Sequence, residues 1–399
     1  MKFSEYSFGE VTKNFDKNRV PLSSAQREKR KGNYRYFGAQ GVIDYIDDYL
    51  FDGTYLLIAE DGENLKSKKS NIAQVVEGKF WVNNHAHIIQ GNELCDTRYL
   101  CYLINIMDLS GYITGSAQPK LSQGNLNAVR LLLPDVDTQR KIVDYLYSLD
   151  EKISINNKIN DNLEQQAKVL FKSWFVDFEV FGGLPPHNWE KTTLEAIVDF
   201  QNGYAFKSKE LLDICKDNTL QVFKQGHINR GGGFIYNGTK SWYPVEKAVN
   251  LQKYILKKGD ILMAMTDMKD NVAILGNTAI MPVDNQYIVN QRVGHLRSNG
   301  YKGTSFAYLY LLTNSDDFLT DLRSRANSGV QVNLSSIAIK STEVLIATEE
   351  INVQFNNIVQ PMYEMVIQNQ LENEKLINLR DALLPKLISG EIDVTSVQI

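Results

Sequence analysis

The side chains best suited to chemistry in this 399-residue chain are cations and amides gathered in Gly- and Asn-rich loops. They occur as "REKRKGNYRY" (27–36) and "KSKKS" (66–70), then as "NGYAFKSKE" (202–210), "KQGHINRGGG" (224–233) and "RSRANSGVQ" (323–331). Lys and Arg neutralise phosphates, while Gln, Asn and Arg can meet a base edge with two hydrogen bonds at once. The candidates for such contacts are Lys29, Arg30, Lys31, Arg35, Lys66, Lys68, Lys69, Gln118 and Lys120 in the first half. In the second half they are Lys207, Lys209, Lys224, Gln225, His227, Arg230, Gln291, Arg323, Arg325 and Gln331. Any one of these loops alone reads as a solvated loop. Their concentration in two blocks, with acid collected elsewhere, points to nucleic acid.

The motifs of intrinsic catalysis are missing. There is no GxxxxGK[ST] loop and no GxGxxG after a strand, so no nucleotide cradle is visible. No HExxH or CxxC is present, and "LPPH" (184–187) lacks the amide and aromatic residue that would clamp a flipped base. His85 and His87 alternate on one strand face in "NNHAH", but no third metal ligand is near in sequence; ordinary strand or DNA-facing histidines are expected. The expectation is thus no catalytic residue and no metal, with a nuclease of scattered carboxylates left open. Cys95, Cys101 and Cys215 show no paired spacing and are expected as reduced core residues. No apolar run approaches 18 residues and the start is polar, so neither a membrane span nor a signal peptide is expected, and a cytoplasmic location follows.

The net charge of −4 is unevenly spread. Residues 1–134 carry +1, 135–190 carry −4, 191–346 carry +4 and 347–399 carry −5. This alternation suggests a repeat. Shifted by 213 residues, "GSAQPKLSQ" (115–123) falls on "SGVQVNLSS" (328–336), matching Gln118 with Gln331, Leu121 with Leu334 and Ser122 with Ser335. "RLLLP" (130–134) falls on "EVLIA" (343–347). From Ile142 a ladder steps by four and three: Ile142, Leu146, Leu149, Ile153, Asn156, Asn160, Leu163, Ala167, Leu170, Trp174. Moved by 213 it reads Phe355, Val359, Met362, Val366, Asn369, Asn373, Leu376, Arg380, Leu383, Leu387. Such a ladder is a coiled-coil signature. It predicts two helices of about 33 residues and roughly 50 Å, or about 15 base pairs of DNA, enough for readers in successive major grooves.

Asparagine at two seam positions forgoes burial worth about 1.5–3 kcal/mol each. An amide-to-amide hydrogen bond returns only about 1 kcal/mol. Its use is to fix register and partner. With antiparallel helices, Asn156 would face Asn373 and Asn160 would face Asn369. The alternative is that this turn of each helix is simply solvated.

Upstream blocks match too, with different gaps. "EYSFGEV" (5–11) resembles "EKTTLEAI" (190–197), "DGTYLLIAEDG" (52–62) resembles "KGDILMAMTDM" (258–268), and "FWVNNHAHII" (80–89) resembles "QYIVNQRVGHL" (286–296). "TRYLCYLINIM" and "TSFAYLYLLTN" are the expected helices of the two globules. The fold class is therefore α+β (mixed α/β): two similar globules separated by an antiparallel coiled coil of two long helices, with a pseudo-two-fold internal repeat. The divisions are 1–139 for the first globule, 140–181 for its helix and 182–188 for a Gly/Pro linker. The second globule is 189–350, its helix 351–390, and a tail follows at 391–399. The aromatic run Phe171, Trp174, Phe175 and Phe178 is either a docking patch or local core between helix and globule.

These residues carry a family resemblance. The stretches "YFGAQGVIDYIDDYLFDGTYLLIAEDG", "GSAQPKLSQGNLNAVRLLLPDVDTQRKI" with the helix after it, and "VNQRVGHL" resemble the specificity (S, HsdS) subunit of Type I restriction-modification systems, over nearly the whole chain. The resemblance implies two target-recognition domains, each reading half of a split, asymmetric site in double-stranded DNA, in a system of defence against foreign DNA. It implies docking of two methyltransferase (M) subunits, joined by restriction (R) subunits. It places S-adenosylmethionine on the former and ATP with Mg on the latter, leaving this chain noncatalytic and without a cofactor. One place departs from the pattern: Pro134 becomes Ala347, and Gln139 becomes Asn352, so the start of the second helix is expected to be framed differently. The bottom-up alternatives are a coiled-coil scaffold whose globules bind protein, and a self-contained DNA-modifying enzyme.

Overall fold

The computed structural model describes residues 1–116, 118–268, 272–328 and 331–394; the last five residues of the expected tail lie outside these. Contacts divide the chain into two units, residues 1–152 with 376–399, and residues 153–375. The sequence divisions give each long helix a segment of its own, whereas contacts assign part of both helices to each unit.

In the first unit, β1 (Ser4–Ser7) pairs antiparallel with β8 (Arg130–Leu133). A six-stranded sheet is built from β2 (Thr12–Asn14), β3 (Lys31–Gly38), β4 (Gly41–Ile46), β5 (Phe51–Ala59), β6 (Ala73–Val82) and β7 (Ala86–Gly91), in the order β2-β7-β5-β6-β3-β4. Its centre is β5, whose Leu56, Leu57, Ile58 and Ala59 are all buried, as a strand covered on both faces requires. Strand β8 alternates instead: Leu131 and Leu133 are buried and Leu132 points outward. The helix Thr97–Ile106 packs Tyr99, Leu100, Leu103 and Ile104 inward, and Asp96 caps it by accepting from the backbone of Arg98 and Tyr99.

The second unit repeats this frame. Strand β9 (Glu190–Thr193) pairs with β20 (Glu343–Ile346) in the role of β1 and β8. A sheet of β10 (Val198–Asn202), β13 (Ile261–Ala264), β15 (Thr278–Ile280) and β17 (Val293–Ser298) runs β10-β17-β13-β15, the order of β2-β7-β5-β6. The matched Phe8 and Leu194, and Val11 and Ile197, are buried in both units. The helix Phe306–Thr313 is capped by Ser305. The units differ in their additions. The first adds the hairpin β3–β4. The second adds a sheet of β11 (Thr219–Phe223), β12 (Trp242–Pro244) and β16 (Tyr287–Val289), and a ribbon of β14 (Thr266–Met268), β18 (Asn327–Ser328) and β19 (Gln331–Asn333).

The long helices are Val136–Phe175 and Glu349–Ser389, of 40 and 41 residues, so each is about 60 Å long rather than 50 Å. The first ends six residues before its expected stop at 181. Phe178 takes a left-handed conformation (φ 53°), and the Phe178 and Phe181 rings turn back onto Trp189 at 5.7 and 5.2 Å. Phe171, Trp174 and Phe175 pack on Phe355, and Phe175 also meets Tyr308. The aromatic run is local core of the second unit, not a free patch. Cys95 is buried and Cys101 partly so, and burial pushes both thiols up to about 12. Cys215 is exposed, against the expectation of core packing, because it lies in an irregular loop ahead of β11.

The two helix starts are both tied down by buried amides, but through different residues, as expected. Gln139, wholly buried, donates to the carbonyls of Leu94 and Pro134 at 3.0 and 2.9 Å and accepts from Asp96 N at 2.9 Å. Asn352, equally buried, donates to Lys302 O and Ala347 O at 2.9 and 3.3 Å. Its shorter side chain does not reach the helix cap. Asn356, one turn on, makes that link by accepting from the cap Ser305 Oγ at 2.7 Å. One amide in the first copy is thus replaced by two in the second. Gln139→Ala should lower the free energy of unfolding by about 2–4 kcal/mol, and Asn352→Ala by about 1–2 kcal/mol since Asn356 remains. Urea titrations of the two variants check the difference.

Candidate nucleic-acid interface and helix seam

The seam is formed from the ladder residues. None of its ten positions in either helix is exposed. Within the second unit, Asn156 Nδ2 donates to Asn373 Oδ1 at 2.9 Å and to Glu372 Oε2 at 2.7 Å. Asn369 Nδ2 donates to Asn160 Oδ1 at 2.9 Å, and Asn373 Nδ2 to Asn157 Oδ1 at 2.8 Å. Residue numbers rise on one helix as they fall on the other, so the helices run antiparallel. Asn156 is only 1% exposed, which excludes a merely solvated turn. Arg380 breaks the repeat: it stands where the first ladder has Ala167. Within the first unit it bonds Asp150 at 2.7 Å, and Tyr102 donates to the same carboxylate.

The basic stretch 27–31 is largely neutralised. Arg27 meets Asp44 at 3.0 Å, Arg30 meets Asp47 and Asp48 at 2.9 and 3.5 Å, and Lys31 meets Asp44 and Glu28 at 2.9 and 3.6 Å. The Lys31 ammonium, the Tyr45 amide and the Arg27 guanidinium hold the Asp44 carboxyl down at about 2. Of this group Lys29 alone is exposed with no carboxylate beside it among the described residues. Arg35 bonds Glu77 O and lies over the Phe37 ring.

The other first-unit candidates converge. Lys66 Nζ donates to Gly115 O and Ser116 O at 3.0 and 3.4 Å, Lys68 donates to Met107 O at 2.8 Å, and Lys120 meets Glu60 at 3.3 Å. Lys66 therefore lies against Gly115 and Ser116, with Lys69 and Gln118 exposed. His85 and His87 do not act together. His85 bonds Asp61 at 2.7 Å at the surface, while His87 is buried, donating through Nδ1 to Asp16 at 2.6 Å and Nε2 to Leu121 O at 2.8 Å. Both ring nitrogens face acceptors. Burial alone would push the His87 pKa down, but the Asp16 bond, the Leu121 carbonyl and nearby Glu60 outweigh it and raise it.

In the second unit the side-chain ends of Lys207, Lys209, Lys224, Arg230 and Gln291 make no hydrogen bond or ion pair among the described residues, while the Lys207 and Lys224 backbone amides donate to Glu210 and His227. Arg292, exposed beside Gln291, joins them and was missed in the sequence. Three candidates are tied into the unit: Gln225 to Thr266, Arg323 to Leu275 O at 2.9 Å, and Arg325 to Asp321 at 2.9 Å. His227 is corrected outright. It is 0% exposed, stacked on Phe223 at 5.1 Å, and its Nε2 accepts from Gln221 at 3.2 Å. Burial and the Lys224 charge lower its pKa, so it is a neutral core histidine that cannot meet a base. Among the described residues no group of three or more His, Cys, Asp or Glu is placed to hold a metal, and no helix is long and apolar enough to cross a membrane.

One frame used twice, each copy running into a long helix and carrying its own set of polar loops, defines a class of internally duplicated chains. This chain belongs to the family of the Type I restriction modification DNA specificity domain, whose model matches residues 2–165 and again 186–379. It is 23% identical to the Type I restriction enzyme HindI specificity subunit of Haemophilus influenzae, over 98% of this chain and 99% of the relative. It is 26% identical to the Type I restriction enzyme MjaIX specificity subunit of Methanocaldococcus jannaschii, over 75% of this chain and 69% of the relative. The fold is similar to the crystal structure of a Type I restriction-modification S subunit from M. genitalium, with a TM-score of 0.62 at 15% identity, covering 97% of this chain and 96% of that one.

Two outcomes follow from these sites. Replacing Asn156, Asn160, Asn369 and Asn373 together by Leu should keep or raise the unfolding temperature, since buried Leu gains more than the lost amide bonds. Spin labels at the exposed positions 154 and 368 should then report several distances where the seam with its four asparagines gives one. The second outcome concerns pH. The raised folded pKa of His87 contributes stability that is full below the unfolded imidazole value and is lost as pH rises through the folded value. Thermal unfolding from about pH 6 to about pH 9 should therefore show a falling advantage of the unaltered protein over His87→Asn.

Proposed function

We propose that the chain is the sequence-reading subunit of a Type I restriction-modification complex. Each unit reads one half of a bipartite, asymmetric site in double-stranded DNA, and the chain directs partner methyltransferase and restriction subunits to that site. The observation that carries this reading is the duplicated frame with different additions, the hairpin β3–β4 in one copy and the β12-β11-β16 sheet in the other. A common frame holds two readers in equivalent settings, and unlike additions give them unlike targets. The chain itself performs no chemistry. Methyl transfer from S-adenosylmethionine and ATP- and Mg-dependent cleavage belong to the partners, and the complex works in the cytoplasm.

Charge supports the delegation of part of the DNA grip. Segments 135–190 and 347–399, which hold the long helices, carry −4 and −5 and are repelled by phosphate, so their exposed faces suit protein partners. With Arg27, Arg30 and Lys31 neutralised, the isolated chain should bind DNA weakly and with steep salt dependence. Adding two methyltransferase subunits should strengthen binding and bring methyl transfer. The assay follows labelled methyl donor into the same DNA with the chain alone and with the reconstituted complex. Methyl transfer by the purified chain alone would overturn the noncatalytic assignment. Exchange of residues 1–135 for the equivalent part of another specificity subunit should change one half of the modified site. A change in both halves would defeat the two-reader model.

A further inference from the structure

Three positions recur in the loop that closes each frame: Gln118, Leu121 and Ser122, and Gln331, Leu334 and Ser335. Two of the three have a structural account. Leu121 and Leu334 are 0% and 3% exposed. Ser122 and Ser335 cap the short helices Gln123–Asn127 and Ser336–Lys340, accepting from Asn125 N at 3.2 Å and Ala338 N at 3.1 Å. The glutamines have no such account. Both are exposed, and neither side chain has a hydrogen-bond partner among the described residues.

The backbone anchors the two loops alike three residues further on. In each unit the loop is bound to the residue that follows the central strand, Leu121 N to Glu60 O at 2.8 Å and Leu334 N to Met265 O at 2.9 Å. Around this shared point the units differ. The first packs Lys66 against Gly115 and Ser116. The second has the ribbon in which Met268 lies opposite Gln331. Packing thus does not explain the same exposed amide at the same place twice. If the units read unlike half-sites, the side chains that discriminate bases must differ between them, as the additions to the two frames do. A side chain that is the same in both suits a feature that both half-sites share.

We infer that Gln118 and Gln331 make the same base-independent contact in each half-site, donating an amide N–H to a phosphate oxygen of DNA. This rests on the reading of the chain as a two-part DNA reader. Amide side chains donate to phosphates as well as to bases, and phosphate contacts fix register without carrying sequence information. Being neutral, the amide releases no counterion, so its loss lowers affinity and leaves the salt dependence unchanged.

The test uses the chain assembled with its methyltransferase partners on the DNA site that complex modifies. The unaltered complex is measured first; absence of any sequence preference there would overturn the underlying reading, before any variant is considered. Gln118→Ala and Gln331→Ala should each weaken binding by about threefold to tenfold, with the same slope of log affinity against log salt. Base preference in both half-sites and the unfolding temperature should not change. Altered base preference in one half-site would make the residue a reader and overturn the inference. Unchanged DNA affinity would also overturn it, whether or not assembly with the methyltransferase weakened.

Discussion

The hydrogen bond between Asn156 and Asn373, with its neighbour between Asn369 and Asn160, is the constraint on which the rest of the second unit depends. An apolar 4-3 seam buries about as well when one helix slides by a heptad. Amides do not slide, because a buried amide without a partner costs about 1–3 kcal/mol. The two rungs therefore single out one alignment. That alignment sets which ladder residues meet, and so where the aromatic cluster of Phe171, Trp174, Phe175 and Phe355 forms. The core of the globule, with the fully buried Tyr308 edge-on to Phe175, is built on that cluster.

Much of this was legible in the sequence because it depends on periodicity and on local hydrogen-bonding logic. The ladder survives Pro361 and Pro385, which lie inside the second helix and would argue for a break if read singly. The pair Leu121–Ser122 matched Leu334–Ser335 because each pair buries a side chain and caps a helix. What failed depends on contacts that sequence distance hides. Arg27, Arg30 and Lys31 are neutralised by Asp44, Asp47 and Asp48, which the β3–β4 hairpin folds back beside them. The signal was present in the alternating pattern of "NYRYFGAQGVIDYID", but the basic run was read without its return strand. His227 reads in sequence as a loop side chain, yet its strand-flanked turn buries it against Phe223. Asn352 is the departure the sequence shows, and only the structure reveals that Asn356 completes the amide function in the second copy.

The two copies therefore share what holds a frame together and differ in what is laid on it. The shared part is β2-β7-β5-β6 and β10-β17-β13-β15, with the closing pair that leads into each helix. The charge balance differs as well. The first copy neutralises most of its most basic stretch internally, while the side-chain cations of Lys207, Lys209, Lys224, Arg230 and Arg292 of the second form no ion pair among the described residues.

Asn352 joins the helix Glu349–Ser389 to its globule by hydrogen bonds to Lys302 O and Ala347 O, and Asn369 and Asn373 join the same helix to its seam partner. The helix cannot roll about its axis without breaking one set or the other. The direction in which the second unit's sheet faces, measured around the seam, is thus a phase angle written in the number of residues between Asn352 and Asn369. One residue inserted there would turn the sheet by about 100° while advancing it only about 1.5 Å. Seven would bring it back to within about 20°. Lengths in this stretch are therefore quantised in heptads, and evolution or design can lengthen the spacer only in those steps without re-aiming the reader.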